Sequence, residues 1–408
     1  MADYILLLIP AAIVTILVFG ACVKKKGEFS EKAWSLGQAK AIQAFAALMI
    51  ILHHLVQTIS SYGAVNKGPV TVWNSFGILF TSIFFFFSGF GLYKRYKAEE
   101  NYLDSFLKRR FLKILIPFLF TNVIYLCTVS GGKISGVWQG ITAIFGIPLL
   151  NVNAWYVIVL LLLYLAFYVC FRFIRSERAA MLCLTGFTIL VIIGSLMLGH
   201  DSRAVNRRWF MGEWWYNTMF LFIVGMVVAR NETRIRALME KLYAILLPLS
   251  VILFGGWSAL TLFVGDHFGY YSEWPGHPGY FEKLITLLTQ IILCILFLSI
   301  LLVVNLKVEF HNRILRFLGG ISYEIYLIHE VFREVLPGGP GGTLPDFPYL
   351  VLVYMLSIAA AWLLAFADRC ITGQSRKRSE HLEAGISDRK NNDTAFRKNI
   401  GGIPWLRV

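Results

Sequence analysis

The sequence predicts an all-α polytopic membrane protein, on three observations. Hydrophobic residues make up 57% of its 408 positions and charged residues only 15%, against about a quarter charged in a soluble domain. Apolar runs near the roughly 20 residues that cross a bilayer as a helix recur along most of the chain. Lysines and arginines gather in alternate connections between those runs, as in the cytoplasmic loops of membrane proteins. The formal charge of +14 therefore reads as topology. No nucleic-acid partner is expected, whereas membrane lipids are.

The first apolar run, Tyr4 to Val23, ends at Lys24, Lys25 and Lys26. Positive charge after the apolar core puts that end in the cytoplasm and the N-terminus outside. A signal peptide would carry its charge before the core and a small-residue cleavage site after it, so a retained helix is expected. Further spans follow at about 38–59, 73–93, 114–130, 153–172, 179–198, 214–229, 243–264, 284–304, 318–336 and 348–367. The total is about 11 transmembrane helices with a cytoplasmic C-terminus. The charges support that count. Inner connections hold Lys94, Arg95 and Lys97 with Lys108, Arg109 and Arg110, then Arg172 to Arg178, Arg230 to Lys241, Lys307 to Arg316, and the tail from Arg369. Outer connections hold far fewer, Arg203, Arg207 and Arg208 excepted.

The domain reading follows: residues 1–26 as an additional N-terminal helix, 27–370 as the main transmembrane domain, and 371–408 as a polar, disordered cytoplasmic tail. The segment 136–150 is apolar but short and interrupted by Gly and Pro, which suits a re-entrant or interfacial piece. The six cysteines are scattered without metal-type spacing and read as packing residues; no metal is expected. The outer stretches VWNSF (72–76), RRWFMGEWWYN (207–217) and GDHFGYYSEWPGHPGYFE (265–282) are rich in aromatic residues. An interfacial aromatic belt and a carbohydrate-facing surface both explain them.

Ionisable groups inside membrane helices are costly, so those present draw attention. FAALMIILHHL (45–55) carries His53 and His54. Eleven residues at about 100° each return to within about 20° of the starting face, so Gln43 and His54 share a stripe. Gln57 lies within hydrogen-bonding reach of either imidazole. ISYEIYLIHEVFREVL (321–336) sets Tyr323, Tyr326 and Glu330 on one face and Ser322, Tyr326 and His329 on an adjoining one. Glu324 lies nearer the inner side, and Arg333 and Glu334 suit a helix end reaching water. FLKRRFLKILIP (106–117) supplies Lys108, Arg109, Arg110 and Lys113, a topology signal that also suits the phosphates of a cytosolic cofactor.

Taken together, KAIQAFAALMIILHHL (40–55), FFFFSGFGLYKRY (84–96), FLKRRFLKILIP (106–117), NAWYVIVLLLLY (153–164), GEWWYNTMFLFIVGMVVA (212–229) and FLGGISYEIYLIHE (317–330) resemble, in order, the blocks of acyltransferase family 3. These membrane proteins acylate hydroxyls on surface glycans, lipids and antibiotics. The resemblance covers roughly residues 38 to 335. The family's hallmark is a basic residue, ten residues, then a histidine. Counted back from His54, that spacing falls on Gln43, which is not basic; Lys40 is one turn away.

The resemblance implies an O-acyltransferase of the plasma membrane, with acetyl-CoA as donor and a polysaccharide or lipid-linked sugar as acceptor. It implies His54 as general base, with Gln43 and His53 beside it, and Lys108, Arg109, Arg110 and Lys113 as acyl-CoA ligands. Acceptor or transition-state contacts would come from Tyr323, Tyr326, Glu330, Trp155, Tyr156, Glu213 and Trp214. Gln43, Tyr323 and Tyr326 are the candidate oxyanion donors. Direct transfer and an acyl-histidine relay both remain open. A transporter or flippase of a lipid-linked glycan or small solute is the reading from another class. A catalytically inactive family member acting as a partner is the third.

Overall fold

The computed structural model describes residues 3–130, 134, 136–198, 217–269 and 277–371. Fourteen α-helices, α1 to α14, and one two-stranded pairing are formed among them. Among the described residues, eight helical segments are long and apolar enough to cross a membrane. They contain α2 (Leu36–Ile59), α3 (Gly77–Ala98), α4 (Leu112–Tyr125), α6 (Trp155–Phe173), α7 (Glu177–Leu198), α10 (Tyr243–His267), α11 (Tyr280–Lys307) and α14 (Asp346–Ile371).

Three of the expected spans take a shorter form. The first is α1 (Leu8–Val18), which ends where Phe19 turns extended and Gly20 adopts φ +72°. The second, over 214–229, contains α8 (Phe220–Arg230), which α9 (Glu232–Lys241) follows. The third, 318–336, is two helices instead of one, α12 (Arg313–Gly320) and α13 (Ser322–Val335), broken at Ile321. The break follows from Gly319 and Gly320, which hold a helix poorly. Gly319 also lies against the Lys40 carbonyl, where a Cβ would come within 2.5 Å of the oxygen. The segment 136–150 holds the short α5 (Val137–Ile144), with Val137 and Trp138 exposed. The tail beyond Ile371 lies outside the described residues.

Burial sorts the helices by position. α2 and α3 are mostly buried, whereas Ile245, Leu249, Ile252 and Phe263 of α10 are exposed, as lipid-facing apolar side chains are in an isolated chain. α3 and α8 meet backbone to backbone. A Cβ on Gly89 would fall 2.0 Å from the Phe222 carbonyl oxygen, and one on Gly225 2.1 Å from that of Phe86. Small residues permit such approaches between membrane helices.

The start of α2 is tied to the end of α11. Trp34 donates from its backbone N to Asn305 Oδ1 (2.8 Å) and from its indole to the Leu302 carbonyl (3.0 Å). Asn305 Nδ2 in turn donates to Gln38 Oε1 (2.7 Å). These bonds hold Trp34 at φ +58°. Beside them β1 (Cys22–Val23) pairs antiparallel with β2 (Val308–Glu309). Glu309 accepts from Ser30 Oγ (2.7 Å) and meets Lys24 Nζ at 3.0 Å. The Ser30 bond and then the Lys24 ammonium hold its carboxyl below the ordinary glutamate range. α1 packs against α2 and α12.

Candidate active site

The polar side chains of α2 and α13 meet in the buried interior. His54 is 8% exposed, Glu330 1% and His329 not at all. His54 Nδ1 lies 2.8 Å from His329 Nε2 and 2.9 Å from Glu330 Oε1, and His329 Nε2 is 3.1 Å from that same oxygen. The two imidazoles are nearly parallel, 8° apart with centroids 5.1 Å apart. Glu330 Oε2 accepts from Arg333 Nε at 2.6 Å, and Arg333 also donates to Thr58 Oγ1 (2.9 Å) and Glu334 Oε1. A buried carboxylate without a partner is heavily penalised; the guanidinium one helical turn away supplies one. Arg333 and Glu334 were expected at a wet helix end. Arg333 instead turns inward, its side chain 16% exposed.

The hydrogen bonds assign the protons. His329 Nδ1 is 2.7 Å from the Tyr326 carbonyl and 3.3 Å from that of Ile325. Carbonyl oxygens only accept, so this nitrogen carries the proton and a neutral His329 presents a lone pair at Nε2. His54 Nδ1 then meets an acceptor in His329 Nε2 and donates to it. Glu330 Oε1, 2.9 Å away, has no hydrogen-bond partner and acts on the pair through its charge. A neutral His54 therefore has its lone pair at Nε2, where it can take a proton.

His54 Nδ1, His329 Nε2 and a Glu330 oxygen also form a donor set of the kind that holds a metal ion, within 4.8 Å of one another. Within this set His54 Nδ1 and His329 Nε2 are hydrogen-bonded, Glu330 Oε1 has no hydrogen-bond partner, and Arg333 holds the second carboxylate oxygen.

His53 lies beside this group, its ring centroid 5.1 Å from that of His54, but its nitrogen is used elsewhere. Its Nδ1 bonds the Trp73 carbonyl (2.7 Å) rather than Gln57, and its ring lies where a Cβ on Gly77 would come within 2.4 Å. Tyr323 donates its hydroxyl to the Ile114 carbonyl (2.7 Å), near Pro117 inside α4, and Tyr326 donates to the Asn153 carbonyl. Each single hydroxyl proton is thus used on the backbone. The Tyr156 ring meets Tyr326 edge-on at 5.5 Å and its hydroxyl is 3.4 Å from Ser88 Oγ, while Trp155 lies 6.1 Å from Phe85. Glu213 and Trp214 lie outside the described residues.

The basic residues form a separate group. A π-helical turn over Leu107–Phe111 carries Lys108, Arg109 and Arg110 into α4, where Lys113 follows. Arg110 donates to the Tyr102 hydroxyl (3.0 Å) and Arg109 meets Glu99 at 3.6 Å. Lys113, Glu324 and Arg110 are the charges that act on Lys40, near the start of α2. His54 is fourteen residues further along, about 21 Å at a helical rise of about 1.5 Å per residue. Gln43 is half-buried. It lies eleven residues, about 16 Å, from His54, nearer the basic group than the imidazoles. Shared stripe and shared site are therefore different things here.

Tyr125 of α4 was absent from the expected set. Its ring is buried, and Glu330, Glu334 and Arg333 are within electrostatic reach of its hydroxyl. Nothing in the run LFTNVIYLC (119–127) marks it, because its relevance comes from α13 packing beside it.

Fold and site together define a helical integral membrane protein with a buried imidazole–carboxylate centre. The chain belongs to acyltransferase family 3: the family's acyltransferase domain matches residues 38–366. It is a membrane acyltransferase. The matched region contains every residue of the site just described and leaves α1 outside. No curated protein and no solved structure matches the chain.

Proposed function

We propose that this acyltransferase moves an acetyl group from cytosolic acetyl-CoA to a hydroxyl of an extracytoplasmic polysaccharide or lipid-linked sugar at the plasma membrane. The observation that carries the reading is the contact geometry at His54, whose Nδ1 bonds His329 Nε2 at 2.8 Å with the Glu330 carboxylate 2.9 Å away; with that nitrogen as donor, Nε2 is the base. His54 Nε2 takes the acceptor's hydroxyl proton as that oxygen attacks the thioester carbonyl carbon. The new imidazolium is stabilised by the Glu330 carboxylate. Collapse of the tetrahedral adduct breaks the carbon–sulfur bond, and the coenzyme thiolate leaves with the proton held by His54. Tyr125 is the favoured donor to the oxyanion, since Tyr323 and Tyr326 spend their protons on backbone carbonyls. Lys108, Arg109, Arg110 and Lys113, with Lys40, bind the coenzyme phosphates. The separation between that group and His54 is of the order an extended pantetheine arm spans.

Mass spectrometry of surface glycans tests this. Strains lacking the gene and strains carrying His54→Ala should both lose the same acetyl groups, the variant by about 10²–10⁴-fold in rate. Loss only in the deletion, with the variant protein at wild-type levels, refutes His54 as the base and favours a transport or partner role.

A further inference from the structure

A cleft of about 540 Å³ opens between the end of α1 and the start of α12, away from the histidine site. Phe19 and Ile314 give it an apolar wall, and His311, Arg313 and Arg316 are cationic or imidazole side chains on its lining. Among the described residues, no Asp or Glu lines it. Asn312 is fully used: its Nδ2 donates to the Ile16 and Phe19 carbonyls (2.8 and 2.9 Å) and its Oδ1 caps Leu315 N (2.7 Å). That leaves the arginines. Arg316 reaches only His311 Nε2, at 3.4 Å, and neither arginine has an acidic partner among the described residues. Outside the cleft, Val14, Val18 and Phe317 continue the apolar surface, and Lys25 and Lys26 add exposed positive charge just beyond α1.

We propose that this cleft binds an anionic phospholipid, with its phosphate between Arg313 and Arg316 and its acyl chain along the exposed faces of α1 and α12. Free phosphate would use the arginines but leave the apolar wall unexplained, whereas an amphiphile uses both. Basic pockets between membrane helices take acidic headgroups for this reason. The lipid would pin α1, which lies outside the family's domain, to α12, whose Gly319 rests on the Lys40 backbone. The proposal is independent of the acyl-transfer reading.

The test is native mass spectrometry of the detergent-purified full chain titrated with phosphatidylglycerol or phosphatidylcholine of matched acyl chains. Wild type should retain phosphatidylglycerol preferentially, and Arg313→Gln with Arg316→Gln should reduce that preference by at least roughly tenfold. Arg313→Lys with Arg316→Lys should largely keep it, as should Arg234→Gln on α9, a control for general surface charge. Both arginines are exposed, so folding is not at issue, and unchanged circular dichroism would confirm it. Equal retention of the two lipids by wild type, or full preference in the double Gln variant, overturns the proposal. Complete displacement of phosphatidylglycerol by millimolar inorganic phosphate also overturns it, reducing the cleft to an anion site.

Discussion

At the residue scale, the site rests on one buried charge pair. Arg333 and Glu330 contact at 2.6 Å, with Glu330 almost completely enclosed. Arg333→Gln strands a carboxylate in the interior, and breaking a buried pair from one side costs about 3–5 kcal/mol. Thermal unfolding of the purified protein should drop accordingly. Adding Glu330→Gln to that variant should restore most of the stability, because the stranded charge is gone. On the proposed mechanism it should not restore activity, since there the Glu330 carboxylate stabilises the protonated form of His54. A double variant as unstable as Arg333→Gln alone would show that Arg333 matters for packing and not for charge.

At the element scale, two features carry testable weight. The α3–α8 contact has no room for a side chain, and Gly225→Ala would place a Cβ on the Phe86 carbonyl. Overpacking of this kind costs about 1–3 kcal/mol or more, read as lowered thermal stability in detergent. Gly186→Ala on α7, where a Cβ meets nothing within 4 Å, should be harmless by the same measure. The second feature is Glu309 beside β2. With its folded pKa depressed by Ser30 and Lys24, the group contributes stability in full above the unfolded glutamate value of about 4.3. That contribution is lost as pH falls through the folded value. Melting temperature should therefore decline on acidification below that range, and Glu309→Gln should flatten that part of the profile.

At the scale of the whole molecule, α2 links two chemically distinct ends. Lys40 stands with Arg110 and Lys113 at one end, and His54 with His329 and Glu330 at the other. This division suits a donor with a phosphorylated head and a reactive group at the end of a long arm. Arg109→Gln with Arg110→Gln should raise the apparent KM for acyl-CoA several-fold and leave kcat within about twofold, since these groups would bind donor and transition state alike. A matching fall in kcat with unchanged KM would remove them from donor binding.

The membrane class and the long helices were legible in the sequence, because hydropathy and helical period are local properties of a run of residues. The family was legible as well, through six ordered blocks. So was His54, as an imidazole placed where one is costly. Helix breaks were less visible: the Gly319–Gly320 pair stopped one expected span for a reason that depends partly on the Lys40 backbone packed against it. The site was legible only in pieces. His54 and His329 are 275 residues apart, and nothing local tells which stripe of α2 faces which stripe of α13. The periodicity that grouped Gln43 with His54 described a face but not a height along the axis, so it joined residues about 16 Å apart. It also set Arg333 in water, because an exposed helix end and an inward-turned arginine look alike in one dimension. By itself, then, the sequence determined that this is a membrane helical protein of the acyltransferase family with a histidine in its interior. Only the tertiary structure decided which nitrogen of that histidine meets His329, because that partner is brought in by a distant helix.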